Sequence, residues 1–454
     1  MKKFDFTEEE WKSCIKVLNI LKESPYQNPN NKLFSGLISK VYKTAKKQKS
    51  KSEYNQKQEK DFATLKSSTI AKNALENITL FSHKETQKKH NYKQLEIPRN
   101  CYSCNASYSK AHFFYNRMCP SCSEENYEAR FESVDLSGRN VLLTGGRVKV
   151  GYATALKILR AKGNLLITTR FPGIALEQFK KEDDYNDWKD RLVVYGLDLK
   201  NLRAVEGFIN FYKSKYDSLD ILINNAAQTI KYEESYYLPL LKKEEKLLLA
   251  YDKKEQLFPN TILFSEDKLL IKDDNEFQSF AMNRFGQPID YRDKTSWNST
   301  LEEISMYELL EVNLINQIAP YFLIKELTPL LRKSNFSKKF IINVTSSEGI
   351  FSYNNKTKHH PHTNMTKAAL NMMTRTSGKQ YADDYKIFMY AVDVGWISTG
   401  AKEKLREKQF DKAYIPPLDS VDGASRILHP IINGLKEKVI LAGTLLKNFK
   451  IENW

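Results

Sequence analysis

Short apolar runs alternate with helix-like segments through the middle of the chain. Between the first two runs, Ala155, Leu156 and Leu159 recur at helical spacing. The runs occupy residues 141–143, 165–167, 192–197 and 219–227. Strands that alternate with helices in this way predict βαβ units, and therefore a parallel, doubly wound α/β sheet of the Rossmann type.

The turn after the first of these strands is rich in glycine. It reads TGGRVKVG from Thr144 to Gly151 and leads directly into a helix. Unpaired backbone N–H groups and the positive helix end favour an anion there, and glycine lets a phosphate approach closely. The pattern predicts a site for a nucleotide pyrophosphate; the alternative is an ordinary tight turn.

The apolar pattern continues to the end of the chain, and we predict one domain over residues 135–454. The expected later elements are a helix at residues 306–331 interrupted near Pro320, strands at 340–344, 387–392 and 439–441, and a helix at 421–435. Residues 228–301 are a long insertion that mixes apolar groups with charge, so it should fold on the domain. Because ligands bind beyond the carboxyl ends of parallel strands, the insertion is expected to form either a lid or a surface for a partner.

Residues 1–95 are predicted to form a basic arm that is partly helical or flexible. The first hundred residues contain 21 Lys and Arg against 11 Asp and Glu. Thr7 and Glu10 have the spacing of a capping box. Residues 50–93 are mostly polar and can bury little apolar surface. The arm is therefore either a solvated spacer or a docking surface for an acidic partner.

Composition limits the functional classes. The net charge of +16 points to an acidic partner, but Lys far outnumbers Arg, which an AT-rich coding sequence would also produce. Nucleic-acid binding is therefore not favoured on charge alone. No apolar run reaches the roughly 18 residues of a membrane span, and the N-terminus lacks the apolar stretch of a signal peptide. We expect a soluble, cytoplasmic protein without a membrane segment.

Four of the five cysteines form two Cys-x-x-Cys pairs separated by 14 residues. The pairs are Cys101 with Cys104 and Cys119 with Cys122. Four thiolates satisfy one tetrahedral zinc ion, so residues 96–130 are predicted to form a zinc-ribbon-like module. Because four thiolates leave no open position, the zinc is expected to be structural. The module is also a candidate surface for a protein partner.

Residues 136–450 resemble the short-chain dehydrogenase/reductase family in the order of several motifs. The family pattern at the first turn is T-G-x-x-x-G-x-G, and Thr144, Gly145 and Gly151 match it. Lys149 stands in place of the middle glycine, where its ammonium could meet a phosphate. The resemblance implies a nicotinamide dinucleotide at this turn.

Further matches imply which residues surround that cofactor. The second strand ends at Arg170, without an acidic residue that would take a ribose 2′-hydroxyl. Arg170 and Arg147 are therefore expected to pair with the 2′-phosphate of NADP; the alternative is that both are solvated. The other positions that match the cofactor site are Asp198, Asn225, Ala226, Lys367, Gly395 and Thr399.

The catalytic positions of the family are matched in part. The resemblance implies that Asn313 anchors a proton-relay water, that Ser346 orients a carbonyl, and that Lys367 is the lysine of a Tyr-x-x-x-Lys pair. Thr363 occupies the place of the tyrosine. An aliphatic hydroxyl is far more basic than a phenol, whose pKa is about 10. Thr363 can therefore donate a hydrogen bond but is a poor general acid.

Nearby side chains could supply the proton instead. The candidates are His359, His360, His362 and Tyr353, with Ser347 as the alternative to Ser346. Histidine titrates in the suitable range, although three histidines in KHHPH also fit an exposed loop.

The predicted function is that of an NADP-dependent oxidoreductase acting on an unknown carbonyl or alcohol. The alternative is a catalytically silent NADP-binding scaffold or sensor that recruits a partner through the zinc module and the basic arm. The joint loss of the middle glycine and the tyrosine motivates the alternative. A homo-oligomer is also expected.

Overall fold

The computed structural model describes residues 5–25, 31–76, 86–251, 256–259, 281–290, 292, 294–353, 356–397, 403–438 and 440–454. It divides into two compact units, Met1–Phe62 and Ala63–Trp454. The helices are α1 Glu8–Leu21, α2 Asn31–Lys66, α3 Thr69–Leu75, α4 Pro120–Ala129, α5 Lys149–Arg160, α6 Pro172–Phe179, α7 Tyr185–Trp188, α8 Leu202–Lys215, α9 Glu234–Leu249, α10 Met306–Asn313, α11 Ala319–Lys333, α12 Pro361–Tyr385, α13 Glu403–Asp411 and α14 Ser420–Leu435. Among the described residues, no helix is long and apolar enough to cross a membrane.

The first unit contains α1 and most of α2. The predicted capping box is confirmed, because Thr7 Oγ1 accepts from the Glu10 N–H at 3.2 Å and the Glu10 carboxylate accepts from the Thr7 N–H at 2.7 Å. The helix α2 has 36 residues and includes the first part of the polar segment 50–93. Whether the arm is a spacer or a docking surface stays a prediction.

The second unit is built on a sheet of nine strands. The strands of the unit are β1 Tyr92–Asn100, β2 Ser107–His112, β3 Asn140–Thr144, β4 Asn164–Thr169, β5 Leu192–Gly196, β6 Ile221–Asn224, β7 Leu257–Phe258, β8 Lys339–Thr345, β9 Ile387–Asp393, β10 Thr444–Lys447 and β11 Lys450–Glu452. The large sheet has the order β11-β10-β9-β8-β6-β3-β4-β5-β7, while β1 and β2 form a separate antiparallel hairpin. Among the described strands of the large sheet, β10 and β11 pair antiparallel and the other neighbours pair parallel. The predicted Rossmann-type, doubly wound fold is confirmed.

Helices cover both faces of the sheet. Val141 and Leu143 of β3 pack with α5 and α14 in one apolar cluster. Leu142, between them, packs with α8 and α11 in another. Successive strand residues point to opposite faces, so a continuous apolar run is what a strand buried on both faces requires.

The final core strand lies further along the chain than the sequence predicts. Residues 440–441 are outside any strand, and β10 begins at Thr444. Gly443 has φ +76° and donates its N–H to the Met389 carbonyl, so the chain turns there before pairing. The predicted strand is wrong at residues 440–441, whereas residue 439 lies outside the described residues. The antiparallel β11 was not predicted.

The described parts of the insertion fold against the sheet. The helix α9 packs Leu240 against Phe171 and Ile174. The buried Glu244 carboxylate accepts from the Gly173 N–H at 2.6 Å and from the Ile174 N–H at 2.8 Å, at the start of α6. The strand β7 adds a short edge beside β5.

The cysteine-containing segment packs on α14 within the same unit. The Arg130 guanidinium donates to Asp419 Oδ1 at 2.7 Å and to Asp422 Oδ1 at 2.9 Å, and the Tyr115 hydroxyl donates to Asp422 at 2.6 Å. Arg130 and Asp422 are completely buried as side chains. The domain bounds 1–95, 96–130 and 135–454 stay predictions.

Candidate cofactor and active site

A cavity of about 1070 Å³ opens at the carboxyl ends of the parallel strands. The strand order reverses at β3, because β4 and β5 extend the sheet on one side of it whereas β6, β8 and β9 extend it on the other. Such a switch point is where ligands bind in open α/β sheets. The predicted site residues that line the cavity are Gly145, Arg147, Lys149, Gly151, Arg170, Asp198, Asn225, Ala226, Ser346, Thr363, Lys367 and Gly395. Thr144 and Asn313 are not among its lining residues, and Thr399 lies outside the described residues.

The glycine turn is held tightly against the end of β6. Thr144 Oγ1 accepts from the N–H groups of Asn225 and Ala226 at 3.0 and 3.1 Å, so this threonine ties two strand ends together behind the cavity. A Cβ on Gly151 would lie 2.0 Å from the Gly145 carbonyl oxygen. No side chain fits at position 151 without a backbone shift.

Lys149 has a backbone conformation that favours glycine. Its φ is +51°, in the left-handed region that L-residues visit at some cost. The ammonium lies 5.2 Å from the Phe285 ring centroid. Burial, together with the positive charge of Arg284, lowers the pKa of Lys149 to about 8. A group with that pKa is mostly charged at neutral pH, so Lys149 can pair with a phosphate.

Two guanidinium groups form a basic corner at the end of β4. Arg147 is buried, and burial followed by the charge of Arg170 lowers the pKa of Arg147 to about 10. The Arg170 guanidinium lies 4.6 Å from the ring centroid of Tyr237, and the Arg147 guanidinium lies 5.3 Å from that of Phe171. Two neighbouring cations on a cavity wall favour a doubly charged anion. The sequence did not indicate Tyr237, because it lies in the insertion on α9.

The lysine and threonine of the expected catalytic pair lie one helical turn apart on α12. Burial lowers the pKa of Lys367 to about 8, and its ammonium donates to the Val344 carbonyl at 2.8 Å. Thr363 Oγ1 is buried and has no hydrogen-bond partner among the described residues. A ligand in the cavity could satisfy this hydroxyl.

The two serines after β8 differ in their contacts. Ser346 lines the cavity. Ser347 also lines it, but its hydroxyl donates to Asp393 at 2.9 Å and accepts from Lys447 at 3.2 Å. Ser346 is therefore the better candidate for contact with a substrate.

Among the three histidines of KHHPH, only His360 lines the cavity. Its ring stacks on Trp297 with centroids 4.4 Å apart, and its Nδ1 lies 2.8 Å from the Trp297 carbonyl oxygen. Because a carbonyl only accepts, Nδ1 carries the proton and Nε2 is left as an acceptor. Burial lowers the pKa of His360, which favours the neutral ring. Tyr353 lines the cavity as well.

Two asparagines near the break between α10 and α11, Asn313 and Asn316, differ in their contacts, and neither lines the cavity. Asn313 donates to the Leu309 carbonyl and accepts from Gln317, both on its own helix. Asn316 is buried, exchanges two hydrogen bonds with the backbone of Gln228 at 2.8 Å, and donates to Thr366.

A sequence signal for Asn316 exists. Pro320 has no N–H to donate to the Asn316 carbonyl, and the helix widens to a π-helix at Leu314–Ile318.

The four paired cysteines meet at one point. Their sulfur atoms all lie within 4.8 Å of one another, and Cys104 and Cys119 are 3.7 Å apart. Tetrahedral zinc with Zn–S bonds of about 2.3 Å places its sulfurs roughly 3.8 Å apart, so the donor set fits that metal. His112 lies outside the cluster, where its Nε2 is 3.0 Å from His90 Nδ1.

Comparison with known proteins shows which protein family part of this chain resembles. A sequence profile described as short chain dehydrogenase matches residues 139–238, from the start of β3 into α9. The likeness to the short-chain dehydrogenase family therefore covers the segment that holds the glycine turn and the basic corner.

Relatives match this chain over different lengths. It is 34% identical to uncharacterized protein R665 of Acanthamoeba polyphaga mimivirus, over 76% of this chain and 73% of that protein. It is 34% identical to (+)-neomenthol dehydrogenase of Capsicum annuum, but only over 20% of this chain and 29% of the pepper enzyme. A solved structure of NADPH-bound carbonyl reductase from chicken fatty liver aligns with a TM-score of 0.41 at 19% identity, over 70% of this chain and all (100%) of that one.

Proposed function

We propose that the protein is an NADP-dependent oxidoreductase that acts on a carbonyl or alcohol group. The observation that carries this proposal is that one cavity joins the basic corner of Arg147 and Arg170 to Ser346, Thr363 and Lys367. The first group suits the phosphate-rich half of the cofactor, and the second suits polar groups at its reactive half.

The chain's own residues would bind and orient the cofactor. Arg147 and Arg170 would hold the 2′-phosphate, and Lys149 would pair with the pyrophosphate at the glycine turn. The Lys367 ammonium would donate a hydrogen bond to a ligand in the cavity. Asn316 would position Lys367 through its own contacts with Gln228 and Thr366. The bound cofactor supplies or accepts the hydride.

Proton transfer would need a group other than Thr363. The threonine hydroxyl can donate a hydrogen bond that orients a substrate oxygen, as can Ser346. The neutral His360 presents Nε2 as an acceptor, so it could take the proton of an alcohol during oxidation.

A second function, a catalytically silent NADP-binding scaffold, is favoured by the threonine at position 363. The two functions differ in one measurement. Saturable NADPH binding without turnover of any member of a broad carbonyl panel would support the scaffold. Turnover that is lost in Lys367→Ala would support the enzyme.

The preference for NADPH over NADH tests whether the basic corner binds the 2′-phosphate. A bidentate, charge-assisted contact contributes about 1.5 to 3 kcal/mol, so NADPH should bind roughly ten- to a hundredfold more tightly than NADH. Arg170→Ala should remove most of that preference and leave NADH affinity nearly unchanged in calorimetric titrations. Arg203→Ala changes an exposed arginine outside the cavity and should alter neither affinity. Equal affinities of the unmodified protein for both cofactors would contradict the assignment, and no binding of either would contradict the proposed function.

We also propose that Cys101, Cys104, Cys119 and Cys122 bind one structural zinc ion. Elemental analysis of purified protein should find about one zinc per chain. Cys119→Ser should abolish the zinc, whereas Cys14→Ser, at an exposed cysteine outside the cluster, should retain it. Full zinc content in the Cys119 variant would refute the four-cysteine site.

A further inference from the structure

The cysteine-containing segment forms part of the cavity wall. Cys101, Tyr102, Ser103 and Asn105 all line the cavity. The oxygen of the Tyr102 hydroxyl accepts from the Trp396 N–H at 2.7 Å. Tyr102 lies inside the first Cys-x-x-Cys pair, and Trp396 follows the end of β9. This contact therefore joins the cysteine cluster directly to the sheet end that lines the cavity.

The segment after β9 is packed closely beneath Tyr102. Gly395 has φ +81°, and a Cβ there would lie 2.5 Å from Leu418 and 3.2 Å from the Tyr102 hydroxyl oxygen. The Arg117 guanidinium lies 5.1 Å from the centroid of the Trp396 ring system. The backbone of residues 395–396 is thus held from the side of the cysteine segment.

The position of Tyr102 depends on both cysteine pairs. Its own N–H donates to the Arg117 carbonyl at 2.9 Å, two residues before Cys119, and the Cys119 N–H donates to Cys101 Sγ at 3.3 Å. A metal bound to all four sulfurs would fix the two pairs relative to each other. The metal would add four covalent links to these two hydrogen bonds.

The basic corner and Trp396 would contact opposite ends of one bound dinucleotide. The strands β4 and β9 are separated in the sheet by β3, β6 and β8. Neighbouring strands lie about 4.8 Å apart, so these two strand ends are roughly 19 Å from each other. A ligand that contacts Arg170 with its 2′-phosphate would reach Gly395 only with its nicotinamide half.

We propose that Tyr102 couples metal binding at the cysteine cluster to binding of the nicotinamide half of the cofactor. The Tyr102 hydroxyl positions the backbone of Gly395 and Trp396, and the metal positions Tyr102. The adenosine half, bound at the basic corner, is independent of the metal. The proposal rests on the proposed function, because it requires NADP in the cavity.

The experiment compares NADPH with adenosine 2′,5′-bisphosphate, which carries the 2′-phosphate but lacks the nicotinamide. Calorimetry measures both affinities in the full chain, zinc-loaded and after removal of zinc by a chelator. Removing zinc should weaken NADPH binding about tenfold and leave the bisphosphate unchanged. Tyr102→Phe in the zinc-loaded protein should give the same pattern with its zinc content retained, because it leaves the partly buried Trp396 N–H without the hydroxyl that holds it.

Two controls isolate the hydroxyl contact. Tyr108→Phe removes a buried hydroxyl from the same segment, one that does not line the cavity, and should change neither affinity. Zinc removal from Tyr102→Phe should have little further effect, because both changes break one connection. If removal of zinc unfolds the cysteine-containing segment, the two affinities of the zinc-loaded Tyr102→Phe variant test the coupling by themselves.

The outcomes separate this inference from the proposed function. Selective loss of NADPH affinity supports the coupling. Tight binding of both ligands regardless of Tyr102, or equal weakening of both, overturns the coupling and leaves NADP binding intact. Failure of both ligands to bind the zinc-loaded, unmodified protein overturns the proposed function, and the coupling with it.

Discussion

Replacing Arg130 by alanine is expected to lower the free energy of unfolding by about 3 to 5 kcal/mol. The fully buried guanidinium donates to both Asp419 and Asp422. Burial and the neighbouring Asp419 already raise the pKa of Asp422 to about 6. Removing the cation would leave the buried Asp422 carboxylate and the partly buried Asp419 carboxylate with less compensation. Urea unfolding followed by circular dichroism should therefore show a lower midpoint.

A matched control distinguishes this network from an ordinary ion pair. Lys213 and Glu326 form a partly exposed pair at 2.8 Å, and Lys213→Ala should cost at most about 1 kcal/mol. Similar losses of unfolding free energy in Arg130→Ala and Lys213→Ala would show that Arg130 stabilises the protein no more than a surface charge does.

Gly151→Ala is expected to weaken NADPH binding by about a hundredfold, because forcing a methyl group into a packed site costs roughly 1 to 3 kcal/mol or more. The new Cβ would lie 2.0 Å from the Gly145 carbonyl oxygen and 2.6 Å from Asn225 Nδ2. The glycine turn must therefore shift at the position where the pyrophosphate is proposed to bind. Calorimetric titration of the folded variant measures the loss.

The control is another glycine-to-alanine change on a helix. A Cβ on Gly207 of α8 would meet nothing within 4 Å, so Gly207→Ala should leave NADPH affinity unchanged and add about 0.5 to 1 kcal/mol of stability. Unchanged affinity in Gly151→Ala would mean that the cofactor does not lie on this turn.

Local sequence patterns were sufficient to predict the features that depend on residues close together in the chain. The run at 141–143 predicts a buried strand because each residue packs on one of two covered faces. Thr7 and Glu10 predict a helix start because both partners lie within one turn. The two cysteine pairs predict a four-sulfur cluster because each pair is a short, self-contained knuckle.

The sequence pattern did not indicate two places where the backbone departs from regular geometry. Asn313 has the sequence position that the resemblance implies, but at the π-helix Asn316 contacts Gln228. The apolar residues 439–441 suggest a strand, yet Gly443 turns the chain before β10 begins. In both places one local irregularity changes which residues make the tertiary contacts.

Contacts between distant residues were decided by tertiary packing alone. Tyr102 and Trp396 are 294 positions apart, and no periodicity or spacing relates them. Tyr237 contacts Arg170 after the end of β4, and Glu244 contacts the start of α6, because α9 folds back on both elements. Hydrophobic periodicity specifies which face of an element is buried, but not which other element covers it. The sheet, the glycine turn and many residues of the cavity could therefore be predicted from the chain, whereas the part of the cavity wall formed by Tyr102 and Trp396 required the folded structure.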